Sequence, residues 1–218
     1  MNNNIHNNLV NISNFNNMIN MNNIPFYAIN NNYIGNNNIY RLIQEIKELH
    51  GQIIFGKGWG IDFKYWSLNN NPYEWIFSLN GLYSSPYSGG LFYIKGTFPP
   101  DYPQHPPIFC FITPFYHLNV NPDSFSKGDP LGMIEMFKLN LWESKYVSIK
   151  DFIIDIHSFF WCGGNPDSPY GIERAELFKN NIELYNKRVR YFTKKYADPS
   201  FPYKEYNSWD FSLPDELK

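Results

Sequence analysis

Five prolines, at positions 99, 100, 103, 106 and 107, stand at the end of the stretch SPYSGGLFYIKGTFPPDYPQHPP that runs from Ser85 to Pro107. Each fixes its own φ at about −65° and removes a backbone donor, so neither a helix nor a central strand passes through them. Gly89-Gly90, near the start of the stretch, permits a tight turn that residues with a Cβ resist. The run Leu91 to Phe98 is thereby confined to a short extended element, with a reversal in front of it and a rigid, irregular connection behind.

Comparable runs flank it. Ile61 to Trp66, Trp75 to Leu79 and Pro107 to Thr113 are short and rich in β-branched and aromatic residues. Turn signals at Asn69 to Pro72, Asn80-Gly81 and Ser84 to Gly90 separate them. The four runs predict an antiparallel meander of four strands. The last, which contains IFCFIT, is apolar at every second and every intervening position, which predicts cover on both of its faces.

Helices bracket the strands. Ile39, Leu42, Ile43, Ile46 and Leu49 recur at i, i+3, i+4, i+7 and i+10 with charged residues between them, the signature of an amphipathic helix. Gly51, Gly56, Gly58 and Gly60 end it. A second helix starts at Ser148, whose side chain can accept from first-turn amides, with Asp151 three residues on as a capping-box partner of short reach. Ile149, Phe152, Ile153, Ile156, Phe159 and Phe160 give it one continuous apolar face, so this is the helix that packs on the sheet. Gly163-Gly164 stops it, and Gly171 to Ala197 is again helical, with a break near Asn180-Asn181. One helix, four strands and three further helices make an α+β domain over residues 39–197.

Both flanks differ from this body. Residues 1–38 hold eighteen asparagines, with scattered apolar residues on neither a helical nor a strand period, and such a segment cannot bury enough apolar surface to offset its ordering entropy. It is expected to be a disordered extension. Residues 198–218 form a proline-punctuated tail carrying Phe201, Tyr203, Tyr206, Trp209 and Phe211, too apolar for a free linker. These five rings are expected to dock on the domain itself or to serve as a partner-binding segment.

Charge and cysteine usage narrow the function classes. A net charge of −2 gives no electrostatic case for nucleic acid, and the basic residues between Lys179 and Lys195 alternate with acids and aromatics, as on a solvated face. No apolar run is long enough for membrane insertion. Two cysteines without metal-ligand spacing fit a reducing, cytoplasmic setting, with neither a metal nor a cofactor expected.

Taken in order, SPYSGGLF, FPPDYPQHPP, FITPFYHLN (Phe111 to Asn119), Trp142 and NPDSP (Asn165 to Pro169) resemble the ubiquitin-conjugating enzyme fold family. Its members read approximately SPYxGGxF, FPxxYPxxPP, HPN, a cysteine within GxxCL, a Trp, and NPDxP before the last helices. The resemblance covers about Tyr40 to Ala197 and implies that family's fold.

The same comparison exposes departures. Counted without a gap, the family's nucleophilic cysteine falls on Lys127; if SFSKGDP carries an insertion, Gly132-Met133-Ile134-Glu135 aligns with Gly-x-x-Cys and Glu135 takes the slot. Either way no sulfur stands there, and carrying ubiquitin as a thioester requires a thiolate that attacks well and leaves well. Cys110 lies in an apolar strand and reads as a small hydrophobe; Cys162 lies where active relatives carry an additional, non-nucleophilic cysteine. Ser124 and Ser126 have no evident general base. His117 and Asn119 keep two of the three HPN residues. The resemblance gives the Asn an oxyanion-stabilising role, which without a cysteine reduces to satisfying backbone groups. Asp167 and Ser168, where relatives position the incoming lysine, become fold residues in the same way. Gln104 and Glu143-Ser144-Lys145-Tyr146 replace the apolar anchor and Ser-Pro-Ala loop with which relatives engage RING-type ligases.

The chain is therefore expected to be a non-catalytic member that works by protein binding, with no catalytic residue and with His117, Asn119, Glu135, Asp167 and Ser168 as vestigial positions. The final helices and the acid-proline-aromatic tail resemble the fused-toes, or AKT-interacting protein, group, which implies an adaptor for Hook-type coiled-coil proteins. Two alternatives stay open: a divergent conjugating enzyme, and a variant cofactor that binds ubiquitin beside an active conjugating enzyme.

Overall fold

The computed structural model describes residues 37–49, 64–67, 71–123, 129–134 and 148–218. The elements run α1 (Asn37–Leu49), β1 (Lys64–Ser67), β2 (Glu74–Asn80), β3 (Leu91–Thr97), β4 (Ile108–Phe111), α2 (Ile149–Cys162), α3 (Ile172–Asn180) and α4 (Ile182–Tyr196), with a short 3-10 turn at Asp215–Leu217. The Asn-rich residues up to 36 lie outside the described residues.

The sheet is the expected meander, in spatial order β1-β2-β3-β4 with every pair antiparallel. Pairing of Phe77 with Ile94 and of Leu79 with Phe92 puts these four side chains on one face, where all are buried. Leu91, Tyr93, Lys95 and Thr97 alternate to the other face and are partly exposed.

The fourth strand departs from expectation. Phe109 and Phe111 are buried, but Ile108 is 43% exposed and Cys110 only half-buried, so β4 is covered fully on one face rather than both. Beyond it lies no fifth strand among the described residues, only residues 129–134, which meet β4 through an isolated bridge between Cys110 and Met133. A strand read as doubly covered from its composition is in fact a near-edge strand with an apolar outer side.

Helix α2 lies over the buried face, with Ile149, Phe152, Ile153, Ile156 and Phe160 inward and Phe159 only partly covered. Between helix and sheet, Phe115 stacks on Phe111 at 4.0 Å and on Tyr87 at 4.4 Å, and meets Phe92 and Phe160 edge-on at 5.2 Å each. Offset stacks and edge contacts of this kind add roughly 0.5–1.5 kcal/mol each beyond the area they bury. The SPYSGG turn, the strands, the loop after β4 and α2 all contribute a ring, so the aromatic cluster fixes their relative positions. Tyr102–Pro103 in the proline segment is cis.

Helix ends follow the sequence signals closely. Ser148 Oγ accepts from the Asp151 amide, and the Asp151 carboxylate, too short to reach the Ser148 amide, accepts from the Ser148 hydroxyl at 2.8 Å. Gly163 ends α2 in the left-handed region at φ 70°. Asn181 separates α3 from α4, its side chain accepting from the Leu184 amide.

One cap comes from elsewhere in the chain. Glu45 on α1 accepts from the Ile149 amide at the start of α2 (2.8 Å) and from the Tyr102 hydroxyl (2.9 Å), while its other oxygen takes Arg41 Nε. Glu45→Ala removes the acceptor these groups share and is expected to cost about 2 kcal/mol in urea unfolding; Glu45→Gln, which keeps an acceptor oxygen, is expected to cost less than half as much.

Candidate functional site

After β4 the chain dives inward, and residues 113–121 are all buried. The His117 ring packs between Phe115 (5.6 Å) and Phe159 (4.8 Å), and its Nδ1 accepts from the Asn119 amide at 3.0 Å. That bond places the ring proton on Nε2, which has no hydrogen-bond partner among the described residues. Burial, reinforced by the Arg174 charge, pushes the imidazole down to about 3, so it stays neutral near pH 7 and cannot shuttle protons there.

Asn119 is equally committed. Its Nδ2 donates to the Asn165 carbonyl (2.8 Å) and the Ser168 carbonyl (2.9 Å), and its Oδ1 accepts from the Asn165 amide (2.6 Å). Tyr170 adds a backbone donation to the Leu118 carbonyl at 2.8 Å. The HLN triplet thus staples the 165–170 loop to the body of the domain. Gly164 allows the close approach: at φ 90°, a Cβ there would stand 2.3 Å from Asn119 Oδ1 and 2.6 Å from His117 Cε1.

A second asparagine, which the sequence reading passed over, organises the segment leading to the nucleophile slot. Asn121 Nδ2 donates to the Asp129 and Pro130 carbonyls, both at 3.0 Å, and its backbone exchanges bonds with Met133 and Gly132. Ile134 is bridged to Val120 and its amide donates to the Phe109 carbonyl. Tyr170 Oη reaches the Asp129 carboxylate at 3.1 Å, tying this segment to the 165–170 loop. The only sequence signal was the spacing of Asn119 and Asn121, both of which prove buried.

The remaining positions scatter. Asp167 is exposed and pairs with Lys179 at 3.1 Å, whereas Ser168 contributes its carbonyl rather than its hydroxyl. Glu135, Lys127, Ser124, Ser126, Trp142 and Glu143 to Tyr146 lie outside the described residues. Cys110 sits on β4, where burial pushes its thiol up to about 12, and Cys162 is the last residue of α2. Among the described residues no group of three His, Cys, Asp or Glu side chains could hold a metal, and no helix is long and apolar enough to cross a membrane.

The tail docks on the domain. Tyr203 meets Tyr93 of β3 edge-on at 5.1 Å, Tyr206 meets Tyr196 at 5.8 Å, and Phe211 sits against Tyr116 and Phe192; only Phe201, at 46% exposed, faces solvent.

The model of the ubiquitin-conjugating enzyme family matches residues 41–193, which span the meander and the HLN staple together with most of the first and last helices. The chain belongs to the ubiquitin-conjugating enzyme family. It is 35% identical over 133 residues to the Arabidopsis thaliana protein named "Probable ubiquitin-conjugating enzyme E2 31", covering 60% of this chain and 79% of that one. Among solved structures it is similar to a "putative ubiquitin conjugating enzyme from Plasmodium yoelii", with a TM-score of 0.62 and 27% identity over 75% of this chain and 97% of that one. A ubiquitin conjugating enzyme E2 domain of Toxoplasma gondii shares the fold at a TM-score of 0.59 and 22% identity, over 72% and 97% of the two chains.

In this family member the HLN staple should be measurable as stability. Asn119→Ala removes three hydrogen bonds from a buried site and is expected to cost about 3 kcal/mol in urea unfolding. Asn119→Asp, which sets an oxygen in place of the nitrogen that faces two carbonyls, should cost more.

The His117 value gives a pH dependence of definite sign. Its folded value lies below the ordinary 6.5, so the unfolded chain takes up the proton first as pH falls. Stability present above pH 6.5 is therefore lost between about 6.5 and 3, by up to about 1.4 kcal/mol per pH unit from this group. Urea midpoints from pH 7 to pH 4 should decline less steeply in His117→Asn than in the wild type.

Proposed function

We propose that this family member works without thioester chemistry, as an adaptor that binds other proteins. One observation carries the reading: the sequence has no cysteine between Cys110 and Cys162, the interval in which the family places its nucleophile. The neighbouring geometry is in keeping with it. The bridge from Ile134 to Val120 favours the alignment in which Gly132-Met133-Ile134 leads into the slot, and there the sequence supplies Glu135. A carboxylate cannot form and release a thioester. His117 is held neutral and the Asn119 side chain is taken up by the 165–168 loop. The retained final helices and the acid-proline-aromatic tail favour a fused-toes-like scaffold, whose partner class is a Hook-type coiled-coil protein in the cytoplasm.

A second reading has its own support, since the Arabidopsis relative is named as a conjugating enzyme: a divergent enzyme with a displaced nucleophile, or a cofactor of an active one. The two part in a single experiment. Incubated with activating enzyme, ATP and ubiquitin, the protein is expected to form no thiol-sensitive adduct on a non-reducing gel; an adduct that disappears in Cys162→Ser would establish the enzymatic reading instead. Affinity purification should recover a coiled-coil protein in place of an active conjugating enzyme.

A further inference from the structure

Midway along the tail, Trp209, Asp210 and Phe211 are held to the domain in the way a short peptide is held by its receptor. The Phe211 ring stands edge-on to Phe192 at 4.8 Å and to Tyr116 at 5.4 Å, with the Arg174 guanidinium 5.9 Å from its centre. Trp209 packs edge-on to Phe211 at 5.7 Å, and its Cζ2 lies 3.0 Å from where a Cβ on Gly132 would stand. Between the two rings, the Asp210 carboxylate takes Lys195 Nζ at 2.9 Å, and its carbonyl accepts from the Tyr196 hydroxyl. The Ser212 amide donates back to Asp210 Oδ1 at 2.9 Å, which turns the backbone across Phe211.

The surface beneath is already organised. Tyr116 and Phe192 stack on each other at 5.0 Å, and Arg174 lies over Tyr116 at 5.6 Å while only 7% exposed. Its Nη1 has no hydrogen-bond partner among the described residues. Tyr116 and Phe192 converge on the Phe211 ring beneath the Arg174 cation, Gly132 lies under Trp209 and Lys195 takes the acid between, an arrangement that suits a segment with an acid flanked by two rings.

What holds the motif down is weak in the right place. Among the described residues no backbone-to-backbone hydrogen bond joins 202–213 to the rest of the chain, and side chains alone hold it. Ahead of it, the Phe201 amide donates to Asp198; behind it, Arg188 donates to the Leu217 and Lys218 carbonyls at 2.8 and 3.1 Å. The Lys195–Asp210 pair is solvent-exposed and contributes little. A segment fastened at its ends and held between them by half-buried side chains opens locally, at a fraction of the free energy of global unfolding.

We propose that the surface formed by Gly132, Tyr116, Arg174, Phe192 and Lys195 is a peptide-docking groove, which the chain's own Trp209-Asp210-Phe211 occupies in cis, and which accepts an aromatic–acid–aromatic segment of a partner protein when that motif lifts. A second copy of this chain is the poorer occupant. Exchange of identical tails conserves every contact while adding the cost of association, and the tethered motif competes at an effective concentration in the millimolar range or above. A different protein meets the same competition but can offset it with a better-fitting version of the motif, which an identical tail cannot do.

The test uses the full chain and a fluorescent peptide of residues 207–213, read by anisotropy. The peptide should bind the double variant Trp209→Ala/Phe211→Ala at least tenfold more tightly than the wild type, in which the groove is filled. Adding Lys195→Glu to that variant should weaken binding threefold or more. A folded double variant that binds no more tightly than wild type overturns the proposal, as does a concentration-dependent dimer formed by tail exchange. Should the variant not fold, Phe211→Leu decides: it should bind the peptide at least threefold more tightly than the wild type, and unchanged binding overturns the proposal. The measurement involves neither ubiquitin nor activating enzyme, so an adduct on Cys162 would sink the adaptor reading and leave this one standing.

Discussion

Phe115 is the residue on which the arrangement of the whole domain turns. It lies in a loop, yet its ring is clamped between Phe111 of β4 and Tyr87 of the SPYSGG turn, with Phe92 of β3 and Phe160 of α2 at its edges. Rings are large and stiff, with only two side-chain torsions, so a five-ring contact leaves little freedom for the backbones that carry them. The loop following Phe115 therefore enters the interior at a fixed angle and delivers His117 and Asn119 to fixed positions. Tyr87 extends the constraint by donating its hydroxyl to the Tyr116 carbonyl at 3.0 Å.

From that point the site is built of polar bonds in a dry setting. Asn119 and Asn121, two residues apart, reach to opposite neighbours: the first ties in the 165–168 loop and the second the 129–133 segment. Tyr170 closes the figure by joining Asp129 to the Leu118 carbonyl. Buried amides bonded in this way rigidify whatever they connect, because losing any one bond strands a polar group away from water. A surface assembled like this keeps a constant shape.

Legibility from the amino-acid order followed the range of the physics involved. Local rules read well: prolines and paired glycines bounded β3, a serine opened α2, Gly163 closed it, and Asn181 divided α3 from α4. The family could be read too, since its motifs are local strings in fixed order. Non-local facts were hidden. That Ile108 points to solvent depends on what lies beyond the fourth strand, and IFCFIT carries no information about its neighbour. That Asn121 is a hub depends on which carbonyls come past it in space. The tail's rings are too apolar to be free, but composition does not say whether their own domain or another protein is the surface they cover; in the fold it is their own domain.

The carboxylate of Glu45 has a mechanical meaning. It holds the opening amide of the central helix from a helix that follows directly on the Asn-rich extension. Force applied to the first helix would not peel away a peripheral strut; it would pull on the keystone, because a carboxylate of that helix holds the opening amide of the central one. In the proposed adaptor, load reaching the first helix would pass straight to the centre of the domain.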